Sequence, residues 1–323
     1  MTIDLSIIIP VYNCGEYLED GLKSLSPLWN SDIQFEILYV NDGSTDNSAA
    51  ILNRFAALYK EITVIHQENQ GSSGARNTAI DRSQGTYICF LDSDDILDID
   101  PLLELLKKAQ KENLDAISYR LDYIDESGKV LGERPAQAVP HNTIMNGQEA
   151  LVYGFNPSSI CLFLFKNQFL QINQYRIYPK ITHMDVEFTS RVFMKIERLM
   201  FVDKIIYHYL QRPGSITKPK SKEKKEKLMR DEITVATQVK NNLQFANNES
   251  VRIAITKNYN SIIWSLLYRF FKNKNSIDKR FMIECLELSR EEGLYPIKGP
   301  LKSKFQHLSR YFFNTSLFRN MIK

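Results

Sequence analysis

The first 120 residues alternate short apolar runs with stretches of helical spacing, and this alternation restricts the fold more than any other feature. Residues 5–10, 35–40, 62–66 and 86–91 are apolar runs rich in branched and aromatic side chains. Their length and continuity read as strands covered on both faces. Between them, residues 15–25, 47–59 and a segment after Gly71 carry helical spacing, with Ile51, Leu52, Phe55 and Leu58 forming one stripe. Pro101 opens a further helix and residues 115–119 give a fifth strand. Strand–helix repeats this closely spaced predict right-handed βαβ units and a mostly parallel sheet flanked by helices. Ligands bind such sheets beyond the carboxyl ends of the strands. Polar clusters follow the first, second and fourth strands, so they are expected along one edge of the sheet.

The rest of the chain is organised differently. Residues 119–131, centred on Asp125-Glu126-Ser127-Gly128, read as a hairpin. Residues 146–215 are mixed, residues 218–227 hold six lysines and two glutamates, and 228–292 are mainly helical by pattern. The spacing therefore predicts an α/β domain over 1–217 and a helical region over 218–323. Hydrophobic residues at 43% and charged residues at 24% suit a soluble protein with a sizeable core. A net charge of +3 argues against a nucleic-acid partner. No apolar run reaches the roughly 18 residues of a membrane span. Asp4 stands before the first apolar run and no basic leader precedes it, so no signal peptide is expected. Cys14, Cys89, Cys161 and Cys285 lie far apart, which excludes a CxxC motif and fits free thiols in a reducing cytoplasm.

Three segments could carry chemistry. Asp92-Ser93-Asp94-Asp95 crowds carboxylates at a strand end. One like-charge pair at about 4 Å and an effective dielectric near 20 costs about 4 kcal/mol, which a divalent cation with oxygen ligands would relieve. The same stretch also reads as a solvated turn with Asp95 capping the next helix. Asn41-Asp42-Gly43-Ser44-Thr45-Asp46 reads as a βα turn, or as a place where a carboxylate accepts the imide N–H of a uracil. Asn69-Gln70-Gly71-Ser72-Ser73-Gly74-Ala75-Arg76-Asn77 is a glycine-bearing loop entering a helix, suited to an anionic ligand, with Arg76 adding a planar cation that could stack on a base or pair with phosphate.

Together with Ile9-Pro10-Val11-Tyr12-Asn13, these segments resemble the inverting family-two glycosyltransferases, which have a GT-A (Rossmann-like) fold. The resemblance covers about residues 3–120, weakens through 217 and is absent beyond. It implies a nucleotide-sugar donor, best read as a UDP-sugar, and a glycan or lipid-linked glycan acceptor in polysaccharide biosynthesis. It places Pro10, Val11, Tyr12, Asp42, Gly71, Arg76, Asn77, Asp92, Ser93 and Asp95 around the donor. It gives Asp94, with Asp92, to Mn²⁺ or Mg²⁺. Asp185, in Thr182-His183-Met184-Asp185-Val186-Glu187, matches the family's catalytic base, with Met184 in place of the usual Glu. In Tyr207-His208-Tyr209-Leu210-Gln211-Arg212-Pro213-Gly214-Ser215, Leu210 replaces the usual arginine. Arg212 is then the candidate for the diphosphate and His208 for a third metal ligand.

Two other function classes share parts of this pattern. A nucleotidyltransferase would place a nucleotide and a metal on such a sheet, but it needs a basic residue in the loop after the first strand, which Val11-Tyr12-Asn13-Cys14-Gly15 lacks. Met184 and Leu210 would suit a non-catalytic sugar-nucleotide-binding protein. The tail 293–323 has no acidic residue and mixes Lys302, Lys304, Arg310, Arg319 and Lys323 with Phe305, Tyr311, Phe312, Phe313, Leu317 and Phe318. It reads either as a helix lying on an anionic membrane surface, at the inner face of the cell membrane, or as a helix packed on the core with its basic residues in water.

Overall fold

The computed structural model describes residues 2–212 and 221–322. The chain forms two compact units that interleave in sequence. One comprises Met1–Gly147, Ser158–Lys180 and Ile196–Ser215, and the other Gln148–Pro157, Ile181–Lys195 and Ile216–Lys323. The boundary expected between 217 and 218, Ser215 and the first lysines of the basic run lie outside the described residues.

The first unit is the α/β body. It contains β1 (Leu5–Val11), α1 (Leu18–Ser24), β2 (Phe35–Asp42), α2 (Ser48–Leu58), β3 (Ile62–Gln67), α3 (Gly71–Arg82) and β4 (Tyr87–Phe90). It continues through β5 (Ile96–Leu97), α4 (Ile99–Lys111), β6 (Ala116–Ile124), β7 (Val130–Glu133) and β8 (Ile144–Met145). After α5 (Gly147–Tyr153), which runs into the second unit, come β9 (Phe163–Lys166) and α6 (Asn167–Ile172). With α7 (Met184–Val192) assigned to the second unit, β10 (Leu199–Leu210) closes the sheet. The strand order is β3-β2-β1-β4-β9-β6-β10-β5, with β7 beside β6 and β8 beside β10.

The long pairings are parallel. β1 matches β2 from Leu5↔Phe35 to Val11↔Asn41 and β4 from Leu5↔Tyr87 to Ile8↔Phe90. β10 runs beside β6 from Leu199↔Ala116 to Leu210↔Ile124, with irregularities around Ile205. Each antiparallel pairing spans only two or three positions. β1 is buried along its whole length, as a strand covered on both faces must be. Pro10 stands beyond the register with β4, where its missing N–H leaves no bond to that strand unmade. The helix expected at 15–25 is shorter, and α4 begins at Ile99 rather than Pro101. Pro101 therefore sits in the first turn, whose N–H groups have no helical partner to lose.

The second unit is helical. Its main elements are α7, α8 (Lys222–Asn241), α9 (Glu249–Lys272), α10 (Lys279–Glu291), α11 (Lys304–Phe313) and α12 (Ser316–Ile322). Side-chain caps start four of them: Ser221 for α8, Asn248 for α9, Asp278 for α10 and Ser303 for α11. Ile233, Ala236, Ile263, Leu267, Phe270, Met282, Phe313 and Phe318 belong to one core. No helix among the described residues is long and apolar enough to cross a membrane.

Candidate active site

In the first unit, β2, β1 and β4 are adjacent and parallel, so the loops leaving them start from one edge. The first two loops are laced together. Asn13, in the left-handed conformation at φ 51°, donates its N–H to Ser44 Oγ at 3.1 Å and accepts the Thr45 N–H at 2.8 Å. Asparagine tolerates that backbone better than most residues. The Asp46 carboxylate accepts the Gly15 and Ser48 amides, both at 3.0 Å.

Asp42 ends β2 with 2% of its surface exposed. Its Oδ1 accepts Gln67 Nε2 at 2.7 Å and the Gln70 amide at 2.9 Å. Thr78 in turn donates to Gln67 Oε1 at 2.7 Å. The carboxylate is thus fixed from one side, and neither bond uses Oδ2. Gly43 follows at φ 73°, and a Cβ there would meet the Asn69 amide nitrogen at 3.1 Å. Both facts favour glycine at this turn.

The acidic loop after β4 carries a paired cation at each candidate ligand. Arg76, on α3 and 3% exposed, donates to Asp92 Oδ1 and to Ser72 Oγ. Arg212 Nε donates to Asp94 Oδ2 at 2.6 Å, while its guanidinium carbon lies 4.7 Å from the centre of the Tyr17 ring. Asp95 is braced by β10: it accepts the Tyr207 hydroxyl at 2.5 Å and the Leu210 amide at 2.8 Å. Tyr207 also accepts the Asp92 amide at 3.2 Å. Burial pushes the Asp95 carboxyl well above the ordinary carboxylate range, and the charges of Asp92 and Asp94 add to it, against the opposing bonds from Tyr207 and Leu210.

The structure separates the candidate residues by use. Asp42 is the last residue of β2, and Asp92 and Asp94 stand just beyond β4. Of Pro10, Val11 and Tyr12, only Tyr12 is well exposed, at 51%. Ser93 is buried, and Gly71 adopts φ 77° at the start of α3. Asn77 spends both ends of its amide on the Ile177 backbone, at 2.9 and 2.7 Å. Asp95 does not cap α4; both its oxygens serve β10. His208 does not join Asp92 and Asp94. Its Nδ1 bonds Asp122 at 2.7 Å and its Nε2 lies 3.3 Å from Asp98. Among the described residues no group of three or more His, Cys, Asp or Glu side chains is arranged to hold a metal. Asp92 and Asp94 still fit Mg²⁺ or Mn²⁺, because such ions keep several waters and take further oxygens from a diphosphate. Asp94 would then have to exchange its bond from Arg212. Tyr17, Gln67, Gln70 and the bracing role of Tyr207 were not singled out in the sequence, although Gln70 and Tyr207 stand in segments that were.

In the second unit, Asp185 lies partly exposed in the first turn of α7, where the helix dipole favours an ionised carboxylate. His183 precedes it in the left-handed conformation at φ 61°. Asp231 on α8 holds this turn, with its Oδ2 accepting both the amide and the hydroxyl of Thr182 at 2.7 Å. Glu187 is 2% exposed and bonds Arg191 through both oxygens, at 2.6 and 3.0 Å. Its carboxylate is thus engaged by Arg191.

Residues 6–168 match the family described as Glycosyl transferase family 2. The uncharacterized glycosyltransferase YibD of Escherichia coli is 26% identical over 223 residues, which cover 67% of this chain and 64% of YibD. Glycosyltransferase GlyG of Streptococcus pneumoniae is 30% identical over 220 residues, covering 66% and 72%. Residues 1–349 of S. aureus TarS, solved in complex with UDP-GlcNAc, superpose with a TM-score of 0.71 at 18% identity, over 99% of this chain and 90% of that one, which shows a shared fold.

Proposed function

Because the chain belongs to glycosyl transferase family 2, we propose that it transfers a sugar, with inversion, from a nucleotide-sugar to a hydroxyl of a glycan or lipid-linked glycan acceptor in surface-polysaccharide synthesis. One observation carries the reading: a buried, anchored Asp42 and the charge-paired Asp92 and Asp94 follow parallel strands that flank β1. UDP is the favoured nucleotide, since Asp42 can accept the uracil imide N–H and the TarS neighbour was solved with UDP-GlcNAc. Tyr12 offers an exposed ring for the nucleotide to rest on.

In this reading Asp185 takes the acceptor hydroxyl proton as the oxygen attacks the anomeric carbon, a role typically worth about 10²–10⁴-fold. Arg212 meets the negative charge that grows on the leaving diphosphate. Attack opposite the leaving group inverts the centre and uses no protein nucleophile. Mg²⁺ or Mn²⁺, held by Asp92 and Asp94, would supply further charge neutralisation at the diphosphate. The four cysteines are buried and form no disulfide, which suits a reducing cytoplasm. The loop after β1 weighs against a nucleotidyltransferase, since it has no basic residue and its Gly15 amide already serves the Asp46 carboxylate.

A panel of nucleotide sugars, with and without Mn²⁺, tests the proposal by thermal shift and by release of nucleoside diphosphate. A UDP-sugar should raise the melting temperature and release UDP, and Asp185→Asn should keep the shift while losing transfer. Shifts without release for every sugar would favour a non-catalytic binder, and full transfer by the Asp185→Asn variant would remove the base assignment.

A further inference from the structure

The aromatic tail splits into two sets. Phe313, Phe318 and Ile322 are 2% exposed or less and belong to the helical core. Phe305, Leu308 and Tyr311 recur at three-residue spacing along α11 and are 60%, 73% and 67% exposed. Residues three apart share a helix face, so α11 carries a continuous apolar stripe in water. The stripe extends onto α9. Exposed Tyr268 lies 6.4 Å from Phe305, and exposed Phe271 lies 5.5 Å from Phe312, both edge-on. On α12, Leu317 is also 67% exposed.

The segments that carry this face have charge of one sign. Residues 250–277 and 293–323 contain no Asp or Glu. Lys272 and Lys274 stand exposed at the end of α9 and Lys304 at the start of α11, while Lys302 just before it donates to Asn156 Oδ1 at 2.5 Å. We propose that this face of α9 and α11 is a docking surface for an anionic lipid bilayer, with Phe305, Leu308 and Tyr311 entering the interface and the lysines meeting the headgroups. Aromatic and aliphatic side chains backed by lysine are the composition of helices that lie in a membrane surface. A second copy of the chain fits poorly, because pairing the same faces would oppose lysine to lysine. A soluble polyanion would use the lysines but leave Leu308, the most exposed of the stripe, without a function. The surface is independent of which donor the first unit takes.

Flotation of the full chain with phosphatidylcholine vesicles, with and without phosphatidylglycerol, tests this. The chain should float with the phosphatidylglycerol vesicles and stay in solution with phosphatidylcholine alone, and salt should weaken the binding. The triple variant Phe305→Ser, Leu308→Ser, Tyr311→Ser alters only exposed side chains, so it should melt like the parent while partitioning at least about tenfold more weakly. Lys304→Glu with Lys272→Glu should weaken binding to the anionic vesicles as well. The proposal is overturned if the parent chain remains in solution with anionic vesicles, or if the triple variant floats as well as the parent. It also falls if the triple variant's only effect is to abolish a dimer seen by light scattering, or if polyphosphate binds the chain while vesicles do not.

Discussion

Arg212 bonds Asp94 at 2.6 Å and lies over the Tyr17 ring, with both charged side chains about one-fifth exposed. A partly exposed ion pair of this kind is worth about 1 kcal/mol. Any divalent cation taken up by Asp94 must displace that bond, so Arg212 and the metal compete for one carboxylate until a diphosphate gives Arg212 a new partner. Arg212→Ala is therefore expected to tighten Mn²⁺ binding to the donor-free protein by about fivefold. The same variant should slow transfer in the presence of donor. Calorimetric titration of Mn²⁺ checks the first effect, and an unchanged or weaker affinity would contradict the competition. At this scale the sequence revealed which carboxylates sit at strand ends, since Asp42, Asp92 and Asp94 come shortly after apolar runs. It did not reveal what their side chains touch. Asn77 bonds Ile177 across 100 positions and Asp95 bonds Tyr207 across 112, and no local pattern encodes such partners.

Two elements explain how candidate residues are held. β10 was read only as part of a mixed stretch, because Asp203 and Lys204 interrupt its apolar run. It nevertheless runs twelve residues through the sheet and supplies Tyr207, Leu210 and His208 to the groups described above. The early strands were legible because burial on both faces leaves them uniformly apolar, and the bounds of α1 and α4 shifted only by a few residues. α8 was assigned to a helical extension, yet its Asp231 fixes Thr182 and is itself paired with Lys227 at 2.5 Å. Asp231→Ala removes three bonds to a largely buried carboxylate and should cost about 1–3 kcal/mol. The loss should appear as a lower urea midpoint with an unchanged slope. Asp231→Asn should lose less, since an amide oxygen can still accept from Thr182. Equal stability of the alanine variant and the parent would mean that Asp231 does not anchor this turn.

Across the whole molecule, sequence order and spatial grouping diverge. Residues 181–195, which hold the candidate base, group with the C-terminal helices, and α7 packs against α8. Within that unit Phe193 stacks on Phe155 with ring centres 4.2 Å apart, and Phe188 and Val192 are fully buried. A chain ended at residue 217 would keep Phe155 but lose α8, against which α7 packs. Each buried apolar side chain contributes about 1.5–3 kcal/mol, so limited proteolysis should cut the shortened chain within 181–195 while sparing the same segment of the full chain. Equal resistance in the two would show that the C-terminal helices are dispensable there. The sequence pattern changes near 217, but the grouping of residues 148–157 and 181–195 with the C-terminal helices leaves no mark in it, because that grouping depends on packing between distant segments. The account as a whole rests on Asp42 and Asp94 forming a nucleoside-diphosphate site. Calorimetric titration of UDP with Mn²⁺ into the parent chain, Asp42→Ala and Asp94→Ala tests this most directly. Binding by the parent, weakened at least about tenfold in each variant while both still melt cooperatively, is the predicted result. No binding by the parent, or equal binding by all three, would contradict it.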